Sequence, residues 1–418
     1  MQKLIIEGPT KLEGTIKISG SKNHALPMLA SMLLTTKDVI VHNIPDIADV
    51  EVMISILEVF GVRIERTRSG LICNAENAQP RIVPAELTQK LRASLLILGP
   101  ALARFGEVDL GYPGGDMIGA RPIDSHLNGL KALGADIQSD TDHIKIRGKL
   151  KPGRVLLDEI SVTATENLVL AAVLTEGQTE IRMAATEPHI VGLCEFLNSL
   201  GADIQGIGSH VLIVNGVKEL SGGEGRIIPD YLEAGTFAIA AAASGGEMLI
   251  EDFMVNDNDA LLNTFSRMGV NYKILSPSSI KVLTSKRINA IKVRTDIFPG
   301  FPSDLQAPLA VLCTQAHGVS EIFETMYEGR LQYLFELQRM GAHVNVRDSH
   351  SGLVEGPTVL HGTDLISFDV RAGATILIAG VIAHGKTTID RIEHIDRGYE
   401  HFDGRLRSLG AKISRIGS

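Results

Sequence analysis

One five-residue pattern, [Leu/Met/Phe]-Gly-[Ala/Val]-x-[Ile/Val/Tyr], recurs six times along this 418-residue chain and constrains its fold more than any other feature. It reads "FGVRI", "LGADI", "LGADI", "MGVNY", "MGAHV" and "LGAKI". Its glycines are Gly61, Gly134, Gly201, Gly269, Gly341 and Gly410, separated by 73, 67, 68, 72 and 69 residues. Each follows a helix-like stretch such as "VGLCEFLNSL" and leads into a strand-like one, so a left-handed helix cap is expected at every one. Upstream in each copy lies an Ala/Leu-rich segment such as "TENLVLAAVLTEG" or "GATILIAGVIAHG", apolar nearly all round. A helix of that kind has no face for water and belongs inside, while the amphipathic helix before each glycine belongs outside.

Six α/β units of about 70 residues divide most naturally three and three, which predicts two domains. Glycine clusters in "GGEGRIIPDY", residues 222–231, just before the fourth apolar helix, and a crossing between domains is expected there. The expected bounds are 21–229 for the first domain and 1–20 with 230–418 for the second. The first domain is expected to carry the Asp116 loop. The N-terminal strand "KLIIEG" would complete the last unit and bring both termini into the second domain.

Composition narrows the partners. Hydrophobic residues make up 44% and charged residues 21%, with a net charge of −9. Nucleic acid is excluded as a main partner, because no basic excess exists to neutralise phosphates. No apolar run reaches the roughly 18 residues of a membrane helix, and "MQKLIIEGPTKLEG" is too interrupted for a signal peptide. Cys73, Cys194 and Cys313 stand in apolar contexts without a Cys-x-x-Cys, as buried small hydrophobes in a reducing compartment do. A cytoplasmic monomer with no membrane insertion is expected. Any anionic ligand must then be held by a local cluster of cations.

Such cations stand where helices are predicted to begin, although helix starts favour acids. Lys22 precedes "NHALPMLASMLL", Arg92 opens "ASLLILGPALA", and Arg121 precedes "PIDSHLNGLKAL". Arg330 precedes "LQYLFELQRM", Arg371 precedes "AGATILIAG", and Arg397 precedes "GYEHFDGRLRSL". Scatter accounts for any one of them; six at matching places in a repeat read as a site for phosphate or carboxylate. Among the acids, Asp304 in "FPSDLQAP" fits a helix N-cap or a functional carboxylate equally. Asp369 and Asp396 are expected to orient Arg371 and Arg397, and Glu187 to cap its helix. His394 and His401, seven apart, fit no common zinc spacing. No Walker A, Gly-x-Ser-x-Gly or dinucleotide fingerprint occurs. The loop "YPGGDMIGARP", residues 112–122, places Asp116 among glycines of the kind that expose N–H groups to an anion.

Together "GPTKLEGTIKISGSKNHALP", "PGGDMIGARPIDSH", "FPSDLQAP", "DVRAGA" and "HIDRGYEHFDGRLRSLGA" resemble the bacterial UDP-N-acetylglucosamine 1-carboxyvinyltransferases, from about residue 3 to 416. The resemblance implies an α/β fold of two inside-out barrels, helices within and sheets without, that open and close. It implies transfer of enolpyruvyl from phosphoenolpyruvate to the 3′-hydroxyl of UDP-N-acetylglucosamine, releasing phosphate by addition and elimination. That is the committed step of peptidoglycan synthesis and needs neither cofactor nor metal. By the same resemblance Lys22, Asn23, Arg121, Arg330, Arg371 and Arg397 bind phosphoenolpyruvate. Asn23, Arg92, Arg121, Pro122, Ile123, Asp124, Ser125, Ser161, Val162, Asp304 and Met326 bind the nucleotide sugar. Asp116, Asp304, Lys22 and Arg397 are the catalytic set, Asp304 taking the proton of the attacking hydroxyl.

Five residues depart from the family pattern. Glu159 with Ile160 precede the uridine-pocket residues where lysine is common, Tyr231 replaces a common arginine, and Gly329 replaces a frequent asparagine. Asp116 stands where most members carry cysteine. That thiol is what the epoxide fosfomycin alkylates, and a carboxylate is a poorer nucleophile. The resemblance therefore implies an active enzyme insensitive to the drug. The alternatives are the shikimate-pathway enolpyruvyl transferase and a non-catalytic paralogue that binds the nucleotide sugar.

Overall fold

The computed structural model describes residues 2–68, 70–116, 118–140 and 142–417. The chain forms two compact units. One, the N-proximal unit, comprises Gly20–Gly115 and Arg121–Ile228; the other, the C-proximal unit, comprises Met1–Ser19, Asp116–Ala120 and Pro229–Ser418. Residues 116–120 thus group with the C-proximal unit, not with the first domain as the sequence reading had it.

Among the described residues the strands form six four-stranded sheets of one design. An edge strand runs parallel to its neighbour, and two antiparallel strands follow. In the third sheet Arg154–Leu156 pairs parallel with Gly177–Arg182, which pairs antiparallel with Val211–Gly216, which pairs antiparallel with Asp203–Gln205. Two sheets are completed by strands distant in sequence. Gly223–Arg226 joins Val39–His42 in the N-proximal unit, and Gly14–Lys17 joins Met248–Glu251 in the C-proximal one. Lys3–Gly8 lies between Gly385–Asp390 and Lys412–Ile416, so both chain ends share the sixth sheet.

Each sheet turns alternate side chains inward onto apolar helices. Leu4 and Ile6 of the first strand, for example, are buried while Glu7 is exposed. The C-proximal core holds Tyr231–Ser244, Ser303–Thr314 and Val370–Ile382, which pack on one another and whose side chains are buried nearly all round. Lys22–Ala30, Leu98–Phe105 and Val162–Ala172 fill the N-proximal core. The second of these begins late: Arg92–Ile97 is a 3-10 helix, and the α-helix starts only two residues before Pro100. Proline has no N–H for an α-helical bond, so it sits best in a first turn. No helix of the described residues is long and apolar enough to cross a membrane. Cys73, Cys194 and Cys313 are free and buried, and burial pushes their thiols up to about 12, 12 and 11.

The repeated glycines all have left-handed backbones, with φ of 90, 90, 101, 77, 94 and 102° from Gly61 to Gly410. A second repeated strain was not legible in the sequence. Asn43, Met183, Asp252 and Arg391 each follow a central strand with φ of 59, 57, 59 and 56°. These residues turn the chain into the second part of their repeats at a cost of about 1–2 kcal/mol for the two that are not Asn or Asp.

Gly201 and Gly153 separate backbone strain from crowding, since a Cβ at either would meet nothing within 4 Å. Gly201→Ala must hold φ near +101° and is expected to lose about 1–2 kcal/mol in urea unfolding. Gly153→Ala, whose φ is not in that region, is expected to be neutral or to gain up to about 1 kcal/mol.

Candidate active site

In the C-proximal unit three buried helices bring their first turns to one place. Asp304, second residue of Ser303–Thr314, accepts Arg371 Nε and Nη2 on Oδ2, both at 2.8 Å. Its Oδ1 accepts Arg330 Nη2. Asp230, which caps Tyr231–Ser244, acts electrostatically on Arg371 from the third helix. Arg330 Nη1 donates to Ser303 Oγ at 2.9 Å, and the Ser303 hydroxyl donates to Glu324 Oε2 at 2.6 Å. Glu324 Oε1 accepts the Met326 N–H at 2.8 Å. The Arg371 guanidinium lies 5.0 Å from the Tyr399 ring centre, and the Tyr399 hydroxyl is 3.0 Å from Thr236 Oγ1. Burial works most strongly against the charge on Arg330 and Arg371, but Asp304 together with the other anionic and phenolic groups around them outweighs it and raises both. Two of their buried nitrogens, Arg330 Nε and Arg371 Nη1, have no hydrogen-bond partner among the described residues. Buried cationic donors without acceptors are costly in an apo protein and suit an anionic ligand.

The Asp116 segment adds a further ion pair to this unit. Arg397 Nη1 donates to Asp116 Oδ1 at 2.7 Å. The backbone N–H of Gly329 donates to Ile118 O at 3.0 Å, and a Cβ on Gly329 would stand 2.9 Å from Ile118 C and 3.0 Å from Gly119 N. Glycine at 329 is therefore what lets residues 118–119 approach, and a side chain there would push them off. Burial raises the Asp369 carboxyl; the Ala372 N–H and Arg330 oppose this, while the charge of Asp116 adds to it.

The N-proximal unit carries the other sequence-derived residues. Lys22, first residue of Lys22–Ala30, has Nζ 3.3 Å from Asp49 Oδ2. Arg92 Nη2 donates to the carbonyls of Arg121 and Pro122, at 2.9 Å for Pro122. Ile123 and Asp124 then begin the helix Asp124–Ala132. Ser125 Oγ reaches Glu159 Oε1 at 3.5 Å, so that departure from the family pattern touches the segment it borders. Ser161 caps Val162–Ala172, accepting the Ala164 N–H at 3.4 Å. Asn23 is half-buried in the first turn of its helix.

Several expectations are corrected. Asp304 is not an N-cap, for Pro302 holds that place and the carboxylate holds two arginines. Asp369 does cap, accepting the N–H groups of Arg371 and Ala372 at 2.7 and 2.8 Å, and it leaves the Arg371 guanidinium to Asp304. Asp396 pairs with Arg415 rather than Arg397. Glu187 occupies an N-cap position without a side-chain capping bond. Arg397 follows the short helix Glu393–Asp396 and stands five residues before Phe402–Ser408, so it opens neither. Arg121 and Arg330 lie three residues ahead of Asp124–Ala132 and Tyr333–Arg339. Asp49, Glu324 and Tyr399 were missed. Asp49 looks like an ordinary first-turn acid, and nothing in "IFET" or "RGYEH" marks a side chain that will meet a guanidinium across the unit.

Six such sheets around apolar helices, with arginines gathered at helix starts, define a fold of enolpyruvyl transferases. The sequence pattern of the EPSP synthase (3-phosphoshikimate 1-carboxyvinyltransferase) family matches residues 6–406. The solved enolpyruvyl transferase NikO from Streptomyces tendae superposes with a TM-score of 0.91 at 23% identity, covering 100% of this chain and 99% of that one. EPSP synthase from Acinetobacter baumannii superposes with a TM-score of 0.75 at 18% identity, with 100% of both chains covered. Sequence relatives are closer. UDP-N-acetylglucosamine 1-carboxyvinyltransferase 1 of Caldanaerobacter subterraneus is 42% identical over 423 residues, 99% of each chain. UDP-N-acetylglucosamine 1-carboxyvinyltransferase 2 of Carboxydothermus hydrogenoformans is 41% identical over 418 residues, 100% of each. The chain belongs to the UDP-N-acetylglucosamine 1-carboxyvinyltransferase family of these enzymes.

Three buried groups of the N-proximal unit make its stability depend on pH. Burial lowers His24 to about 4 and, with Arg92 adding, lowers His126 to about 3; burial with Glu187 nearby raises Glu166 well above its ordinary range. The unfolded chain binds protons at the two histidines near pH 6.5, before the folded one does. Their contribution is full above that pH and is lost on acidification toward pH 4, about 3 kcal/mol for His24. Glu166 has the opposite sign, contributing fully below about pH 4.5 and losing its part as pH rises through its folded value. The urea midpoint is expected to fall between pH 6.5 and 4, and His24→Gln to make that fall shallower.

Proposed function

We propose that this chain transfers the enolpyruvyl group of phosphoenolpyruvate to the 3′-hydroxyl of UDP-N-acetylglucosamine, releasing phosphate, as the committed cytoplasmic step of peptidoglycan synthesis. The observation that carries this reading is the pair of buried guanidiniums, Arg330 and Arg371, with donors left open at a meeting of helix starts. Phosphoenolpyruvate is small and multiply anionic, and a pre-formed set of cations stabilises both it and the charge that develops during transfer. The acceptor's identity rests on the relatives at 41 and 42% identity over the whole chain.

Lys22, Asn23, Arg121, Arg330, Arg371 and Arg397 take the charged groups of phosphoenolpyruvate. Arg92, Arg121–Ser125, Ser161 and Val162 hold the nucleotide sugar, with Asp304 and Met326 at its reacting end. In the addition step the sugar oxygen bonds to C2 of phosphoenolpyruvate while C3 gains a proton from Asp116, which has taken it from water after the substrate anion draws Arg397 away. In the elimination step the C2–O bond to phosphate breaks and C3 returns a proton. Asp304 accepts the hydroxyl proton. Anion binding at Arg330 and Arg371 draws those cations off Asp304 and leaves its carboxylate free to act as a base.

Asp116 stands where most members carry cysteine, and it offers fosfomycin no thiolate. Phosphate release from the two substrates is expected to proceed at an unchanged rate with the drug present. Asp116→Asn is expected to slow it by about 10²-fold or more. A covalent drug adduct at Asp116 would overturn the insensitivity, and a near-native Asp116→Asn rate its role as acid. Turnover with shikimate 3-phosphate instead, or tight nucleotide-sugar binding with no phosphate released, would overturn the assignment.

A further inference from the structure

The fully buried Asn167 lies on the third apolar helix, Val162–Ala172, and the catalytic reading gives it no task. Its side chain joins three other elements of the N-proximal unit. Oδ1 accepts the Gly99 N–H at 2.8 Å. Nδ2 donates to Leu95 O at 2.7 Å and meets His126 Nδ1 at 2.8 Å. The backbone partners fix the amide's orientation, since Gly99 offers only a donor and Leu95 only an acceptor. His126 Nδ1 must then accept, which places the imidazole proton on Nε2, 3.0 Å from Thr163 Oγ1. His126 is thereby held neutral, in agreement with its burial.

Two glycines make the same point by space. A Cβ on Gly99 would stand 2.2 Å from Asn167 O and 2.9 Å from its Oδ1. A Cβ on Gly129 would stand 2.9 Å from Leu168 Cδ1. The helix Leu98–Phe105 thus approaches the backbone of Val162–Ala172 at Asn167, and Asp124–Ala132 packs closely on the Leu168 side chain beside it. The Asn167 amide grips two elements that carry nucleotide-sugar residues. Leu95 lies one 3-10 turn after Arg92, and His126 directly follows Arg121–Ser125. Arg92 in turn donates to the Arg121 and Pro122 carbonyls.

We propose that Asn167 is a positioning residue for UDP-N-acetylglucosamine, setting through Leu95 and His126 the separation of Arg92 from the Arg121–Ser125 segment. This rests on the proposed function, because it presumes that those residues hold the nucleotide sugar. Asn167→Asp keeps the shape but turns an acceptor toward Leu95 O and His126 Nδ1, which are acceptors themselves.

Calorimetric titration with UDP-N-acetylglucosamine is expected to show Kd raised tenfold or more in Asn167→Asp, with KM for phosphoenolpyruvate, which draws on Arg121 alone of these residues, raised by a smaller factor. Should that variant not fold, the comparison moves to His126. His126→Asn keeps an acceptor near the Nδ1 position and is expected to bind the nucleotide sugar at least fivefold more tightly than His126→Leu. A folded Asn167→Asp with Kd within twofold of the wild type would overturn the inference. So would an equal loss for both substrates, or no difference between the two His126 variants. A wild-type protein that bound no nucleotide sugar would overturn the proposed function, and this inference with it.

Discussion

Everything in this protein depends on burying helices that have no polar face. An apolar helix still ends in free N–H groups, and these need partners wherever the helix stops. In the C-proximal unit the ends of three such helices meet, and the groups that satisfy and surround them are side chains: Asp230 and Asp369 as caps, Asp304 with Arg330 and Arg371 beside them. The same burial that builds the core concentrates hydrogen-bond donors and charge at one point of its surface. A site for an anion is the direct consequence.

Within each unit the charges are arranged by internal pairing. In the C-proximal unit Arg330 and Arg371 share Asp304 and Arg397 holds Asp116; in the N-proximal unit Lys22 holds Asp49. Each carboxylate offsets the repulsion that clustered cations would otherwise impose on the folded protein without substrate. In the proposed reaction Asp304 is the base and Asp116, once protonated, the acid; there an incoming anion that competes for their cations would couple substrate binding to the release of both groups.

Buried polar side chains perform a second task, that of register. Asn167 reaches His126, Gln306 accepts the Tyr333 hydroxyl, and Thr236 meets the Tyr399 hydroxyl. Each contact ties an apolar helix to a segment near the start of an outer one. Apolar packing alone tolerates sliding, whereas a buried amide or hydroxyl must find its partner or lose its hydrogen bond. These contacts hold the site-bearing turns at fixed places along the core.

The sixfold glycine pattern determined the repeat, the left-handed caps and the buried helices, because backbone conformation and apolar periodicity are local properties that a sequence carries openly. The family was legible too, through motifs that carry arginines and a lysine. What only the tertiary structure decided was the pairing of charges. Asp304 fitted a cap and a functional carboxylate equally and holds two arginines, Asp396 looked like the partner of Arg397 and belongs to Arg415, and Asp49 gave no signal at all. Sequence neighbours seemed the natural partners, but an ion pair is set by distance in space. The space between Asp304 and Arg371, 67 residues apart, is fixed only when the helices that carry them pack together.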